Sequence, residues 1–218
     1  QPIPGPATDA MVEACREQDA FAAFGMLEAD GPRVFNACAL VGPEGLVGSY
    51  RKLHLPYLGV DRFTTPGDRP LAVHEVRGLR VGMTICYDLV FPEAARSLAL
   101  DGADVIVLPT NWPPGAECTA DCLVNARALE NKVYFLAVNR SGRERGYDFI
   151  GRSKISDPSG EMLAVARGTE PEILLADIDV TRAREKKVVR IPGQFELNRF
   201  ADRRPEFYGR LTETSDGG

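Results

Sequence analysis

The 218-residue chain lacks the marks of several protein classes. It holds two histidines, one tryptophan and five cysteines, an odd number with no CxxC pair among them. That excludes a disulfide framework and a zinc ribbon. No apolar run reaches the length of a membrane span, and the first twenty residues carry no signal-peptide pattern. The 26 Lys and Arg are outnumbered by 31 Asp and Glu, giving a net charge of −5. This argues against a nucleic-acid binder, which needs a basic face. Internal repeats and low-complexity blocks are absent. What remains, at 44% hydrophobic and 26% charged, is the composition of an ordinary globular protein with length for one sizeable domain. A reducing cytoplasm is the expected location.

One stretch organises the chain. From Leu79 to Pro113 an apolar run, Val81 to Ile85, stops at Cys86, and a short turn leads to Pro92. A helix-compatible segment follows up to Gly102, and then a second apolar run, Val105 to Leu108. The order predicts a β-α-β unit, with proline at the helix start and glycine at its end. In α/β folds reactive groups stand at the C-terminal ends of such strands, where the helix N-terminus favours an anion. A cysteine at a strand end is equally suited to be a buried, inert thiol.

A second stretch, Gly48 to Pro56 (GSYRKLHLP), changes that balance. YRK-x-HLP, the PGD at Pro66 to Asp68 and CYDLVFPEAAR together resemble the nitrilase superfamily of carbon–nitrogen hydrolases. The resemblance continues in family order through RALENKVYFLAVNRSG (from Arg127), GRSKISDPSGEML (from Gly151) and DRRPEFYG (from Asp202). It implies a four-layer α-β-β-α sandwich, Cys86 as nucleophile and Lys52 as the catalytic lysine. It implies a backbone N–H of Tyr87 directed at the oxyanion, and an acidic residue, Asp61, that helps position substrate. Asn111 and Trp112, beyond a strand end, are placed to line a pocket. Glu130, in the R-A-x-E-N pattern, supports the site. Neither metal nor organic cofactor is implied. His54 offers a competing Cys–His dyad, but packing beside the lysine strand is the favoured reading.

The pattern also departs from the family. Members carry a strand–helix–strand unit ahead of a segment like QPIPGPATDAM, and the second strand ends in the general-base glutamate. No residue here matches it, so the expectation is a chain lacking its N-terminal unit. Glu28 falls at a different family position and is not assigned the role. Val90 stands where several branches have arginine, which leaves the substrate branch open.

Elsewhere, strands are expected at Phe21 to Leu27, Arg33 to Val41, Leu46 to Arg51, Val133 to Val138, Ser153 to Ser156, Met162 to Val165 and Ile173 to Ile178. Helices are expected from Thr8 or Asp9 to about Asp19, across Glu117 to Lys132, and over Asp179 to Lys187. Cys118 and Cys122 would share one helix face without a third ligand for a metal. The whole chain is read as one domain whose segment from about 188 to 218 is an extended tail. In the family such a tail crosses to a partner subunit, so a homo-oligomer is expected, and LTETSDGG at the end is expected to be disordered. The function expected is hydrolysis of small amides or N-carbamoyl compounds through a thioester. Nitrile hydrolysis, an inactive or binding-only relative and a thiol-redox protein stand as alternatives.

Overall fold

The computed structural model describes residues 1–213, so most of the terminal stretch expected to be disordered lies outside the described residues. The chain forms two compact units, Gln1–Arg184 and Glu185–Gly218.

In the first unit, α1 (Pro6–Gln18) starts earlier than expected, because Pro6 supplies the backbone angle of a first helical residue. Thr8 therefore lies inside the first turn, its hydroxyl accepting from the Gly5 N–H at 2.7 Å. Strands β1 (Ala22–Asp30), β2 (Arg33–Gly42) and β3 (Gly45–Arg51) form an antiparallel meander. The central strand is buried along both faces from Ala37 to Val41, with α1 on one side and a second sheet on the other. Its apolar run has no period of two for that reason.

The second sheet takes β4 (Val73–Val76), β5 (Leu79–Met83), α2 (Pro92–Leu100), β6 (Val105–Thr110), α3 (Val124–Asn131) and β7 (Tyr134–Asn139). After a hairpin of β8 (Ser141–Glu144) and β9 (Tyr147–Ile150), it adds β10 (Lys154–Ser156) and β11 (Met162–Val165). The six strands run β11-β10-β7-β6-β5-β4, with β5, β6 and β7 parallel and the outer strands antiparallel. Alternation along β5 separates the layers. Val81 and Met83 meet Cys38, Leu40 and Tyr50 of the first sheet. Gly82 faces the helices instead, and a Cβ there would come within 2.9 Å of Leu98 in α2. The architecture is the expected α-β-β-α sandwich.

Three expectations need correction. Ile173 to Ile178 is extended and half-buries alternate residues, but joins no sheet. The last helix of this unit, α4 (Val180–Arg184), is shorter than expected, and Ala183 is the residue it buries. The β8–β9 hairpin had no counterpart in the sequence reading. It turns at Arg145 and Gly146, whose φ values of 50° and 88° suit a two-residue hairpin loop.

The second unit, taken by itself, also holds a hairpin where no strand period was seen. Strands β12 (Lys187–Ile191) and β13 (Phe195–Asn198) pair antiparallel around Pro192–Gly193, with the Gln194 N–H donating to the Ile191 carbonyl at 3.0 Å. Gly193 has φ 70°, as the third position of a type II turn demands. Among the described residues, no helix is long and apolar enough to cross a membrane.

An ion cluster fastens α4 to the second sheet. Asp104, fully buried ahead of β6, accepts from Arg80 and Arg184 side chains at 3.0 and 2.7 Å. Burial pushes its carboxyl up, but hydrogen bonds from Arg184 and Arg80 outweigh that and hold it down at about 2, against an ordinary 3.8. A depressed carboxylate stabilises the fold above its unfolded pKa, and that contribution disappears as pH falls through the folded value. Asp104→Asn is therefore expected to cost about 2 kcal/mol near neutral pH. Urea unfolding should show the deficit shrinking below about pH 4; a deficit of equal size near pH 2 would contradict this assignment.

Candidate active site

Strand β5 is prolonged by the Thr84 N–H donating to the Val107 carbonyl at 3.0 Å, and the chain then turns sharply. Cys86 has φ 46°, a left-handed conformation that costs a non-glycine residue energy. It opens a 3-10 turn, Cys86–Val90, that runs into α2 at Pro92. The elbow leaves Cys86 half-buried at the C-terminal end of a parallel strand.

The turn is held by Asp88, whose side chain is fully buried. One carboxylate oxygen accepts from the Ile85 N–H at 2.9 Å and the Tyr50 hydroxyl at 2.8 Å. The other accepts from the His54 N–H at 3.2 Å and lies 2.7 Å from His54 Nδ1. The Tyr50 hydroxyl in turn accepts from the Leu53 N–H at 3.1 Å. Burial, with the Asp88 charge beside it, pushes the Tyr50 phenol far above its ordinary range. Asp88 thus joins the cysteine elbow to residues on either side of Lys52. His54 stacks on Phe91 with ring centroids 3.7 Å apart and points its Nδ1 at Asp88, so it packs beside the lysine strand.

Lys52 is only 1% exposed. Its ammonium pairs with Asp61, which also accepts from the Asn36 side chain at 2.7 Å. The long loop between them carries a 3-10 turn, Gly59–Phe63, and returns to the lysine through the PGD motif. The Gly67 N–H donates to the Lys52 carbonyl at 2.8 Å, and the Lys52 N–H donates to the Asn36 carbonyl at 2.8 Å. A Cβ on Gly67 would lie 2.2 Å from the Arg51 carbonyl oxygen, which explains the glycine. Asp68 pairs with Arg51 at 2.9 Å and Arg33 at 2.8 Å, and hydrogen bonds from Arg51 first and Arg33 next hold its carboxyl below the usual range.

Glu28 is buried and bound to Arg51 through both oxygens, at 2.8 and 2.6 Å. The Arg51 guanidinium lies 3.9 Å over the Phe35 ring, completing that pairing. A carboxylate so engaged is a structural anchor for the lysine strand.

The remaining candidates divide. Tyr87 directly follows the cysteine and is 37% exposed, its ring edge-on to Phe91. Asn111 is exposed, while Trp112 is buried with its backbone N–H donating to the Asn139 side chain at 2.7 Å. Asn139 also donates to the Gly151 carbonyl, so it fastens the loop after β6 to that before β10. Glu130 turns to Arg127 at 3.0 Å, and Arg127 in turn caps the Leu89 carbonyl of the cysteine turn at 3.0 Å. Asn36, Tyr50 and Asn139 were not singled out in the sequence, since their partners come from distant positions. Two cavities of about 290 and 470 Å³ lie elsewhere, and neither Cys86 nor Lys52 lines them.

Comparison with known proteins bears on the family and the fold. The profile of the carbon-nitrogen hydrolase family matches residues 1–188. A nitrilase of Pyrococcus abyssi is 41% identical over 96% of this chain and 77% of its own length. An (R)-stereoselective amidase of Pseudomonas sp. is 34% identical over 100% of this chain and 76% of its own. Among solved structures, an amidase of Nesterenkonia sp. superposes with a TM-score of 0.80 at 25% identity, over 94% of this chain and 72% of that one. A mutant of that amidase shows covalent addition of the acetamide moiety of fluoroacetamide at its active-site cysteine. The chain belongs to the carbon–nitrogen hydrolase family, the nitrilase superfamily, and is an enzyme of the amidase type.

Proposed function

We propose that this protein hydrolyses the C–N bond of small amides or N-carbamoyl compounds through a thioester on Cys86. The observation that carries the reading is the Asp88 clamp, which fixes a strained cysteine elbow against the segment bearing a buried, carboxylate-paired Lys52. The Cys86 sulfur attacks the substrate carbonyl carbon, and the oxygen gathers negative charge. The Lys52 ammonium and the Tyr87 N–H receive that charge. Asp61 holds the ammonium in place. Collapse expels ammonia or an amine, and water then cleaves the thioester.

The thiol proton and the later water proton need a carboxylate base. The family pattern gives that role to a glutamate on a strand preceding α1. Glu28, Asp61 and Asp88 are each engaged by other partners. Nitrile hydrolysis is the second reading, favoured by the Pyrococcus relative. Ammonia released from a nitrile but not from the matching amide would establish it.

Covalent labelling tests the reading without requiring a full turnover. Fluoroacetamide is expected to transfer its acetamide group to Cys86, with loss of fluoride, and to leave Cys118 and Cys122 unmodified. Lys52→Ala should slow the labelling on the order of a hundredfold while the far-UV spectrum is kept. Unchanged labelling in that variant, or equal labelling of the surface cysteines, would defeat the assignment. Asp88→Asn places an NH2 opposite two donors that now meet an oxygen. It should lower stability by about 2 kcal/mol and slow Cys86 labelling; a variant that matches wild type in both would show the clamp to be dispensable.

A further inference from the structure

The segment between β6 and α3 contains a feature that amide hydrolysis does not use. Residues Thr119–Leu123 form a π turn, a widened helical turn that packs against the Cys86–Val90 turn. Such turns often mark functional sites. Cys118, just before it, and Cys122, within it, are both exposed, with their sulfurs 3.9 Å apart. The Cys122 thiol is pushed up first by its hydrogen bond with Cys118 and then by that sulfur's charge.

We propose that Cys118 and Cys122 form a dithiol site, separate from Cys86, that chelates one soft thiophilic centre, either a divalent d10 cation or a trivalent arsenical. The spacing of the two sulfurs fits one bridging centre. Two sulfurs each about 2.3 Å from one tetrahedral centre stand about 3.8 Å apart, close to the spacing found here. Thiolate pairs select soft ions, and binding of such an ion displaces the thiol protons. Asp121, between them in sequence, is held by Arg152 and the buried Lys154, so its carboxylate is committed elsewhere. Among the described residues no third His, Cys, Asp or Glu completes a set, which leaves the other positions to solvent. With an arsenic oxide the balance is simple. Two S–H protons pass to the arsenic-bound oxygen, two As–S bonds form, one water leaves, and arsenic stays trivalent. Cys86 offers a single, half-buried sulfur, so the first equivalent goes to the pair.

The test uses the full chain with one equivalent of phenylarsine oxide, read by intact mass and peptide mapping. The expected result is one phenylarsenic group bridging Cys118 and Cys122, retained against excess 2-mercaptoethanol and released by dithiothreitol, with Cys86 still open to iodoacetamide. Cys118→Ser and Cys122→Ser should each weaken retention roughly a hundredfold, the loss expected when a second attachment is removed. A second arm titrates Cd2+ and follows the thiolate-to-cadmium absorption band, expected in Cys86→Ala and absent in either serine variant. Arsenic found first on Cys86, or probes that do not distinguish wild type from Cys122→Ser, would overturn the proposal.

Discussion

The carboxylate of Asp88 is the contact on which the site depends. Its four contacts come from Ile85 at the cysteine elbow, Tyr50 at the end of β3 and His54 in the loop after it. Without that anion, Ile85 and His54 backbone donors and the Tyr50 hydroxyl would be buried without an acceptor, at a cost of about 1–3 kcal/mol each. The left-handed φ of Cys86 adds strain that the backbone alone would relax. One buried charge therefore does two things. It keeps the elbow bent and sets its distance from the segment that carries Lys52.

Charge burial on the lysine side follows the same logic. An ammonium at 1% exposure costs several kcal/mol unless it is paired, and Asp61 provides the partner. Arg51, its neighbour in the chain, is equally buried and has its own carboxylate in Glu28. Two adjacent cations remain compatible because each is neutralised by a different element, Asp61 from the loop and Glu28 from β1. An ammonium held this way is fixed in place before any ligand arrives.

The sequence revealed the β-α-β core readily, since Val81 to Ile85 and Val105 to Leu108 are apolar runs with a helix between them. Cys86 and Lys52 emerged from motif resemblance, and the structure shows what surrounds them. The clamp was not legible, because Tyr50 and His54 reach Asp88 across 38 and 34 positions and no local pattern encodes such a pairing. Strand errors have a related cause. Alternation in Ile173 to Ile178 records half-burial, not a ladder partner. The β12–β13 hairpin exposes both faces, so it has no alternation to detect and only the Pro192–Gly193 pair announces it.

The loop from Leu53 to Pro66 is closed at Lys52 by the Gly67 N–H, held near its ends by His54 on Asp88 and by the Thr65 N–H on the Val34 carbonyl, and tied in its middle through Asp61. This makes it an exchangeable cassette. Its tip, with Tyr57 and Phe63 projecting into solvent, can change length and chemistry while the lysine keeps its place. Loop closure adds little entropy per added residue, so such exchanges are thermodynamically mild. Diversification of this loop can therefore proceed by swapping that tip, provided the aspartate and the closing glycine are retained.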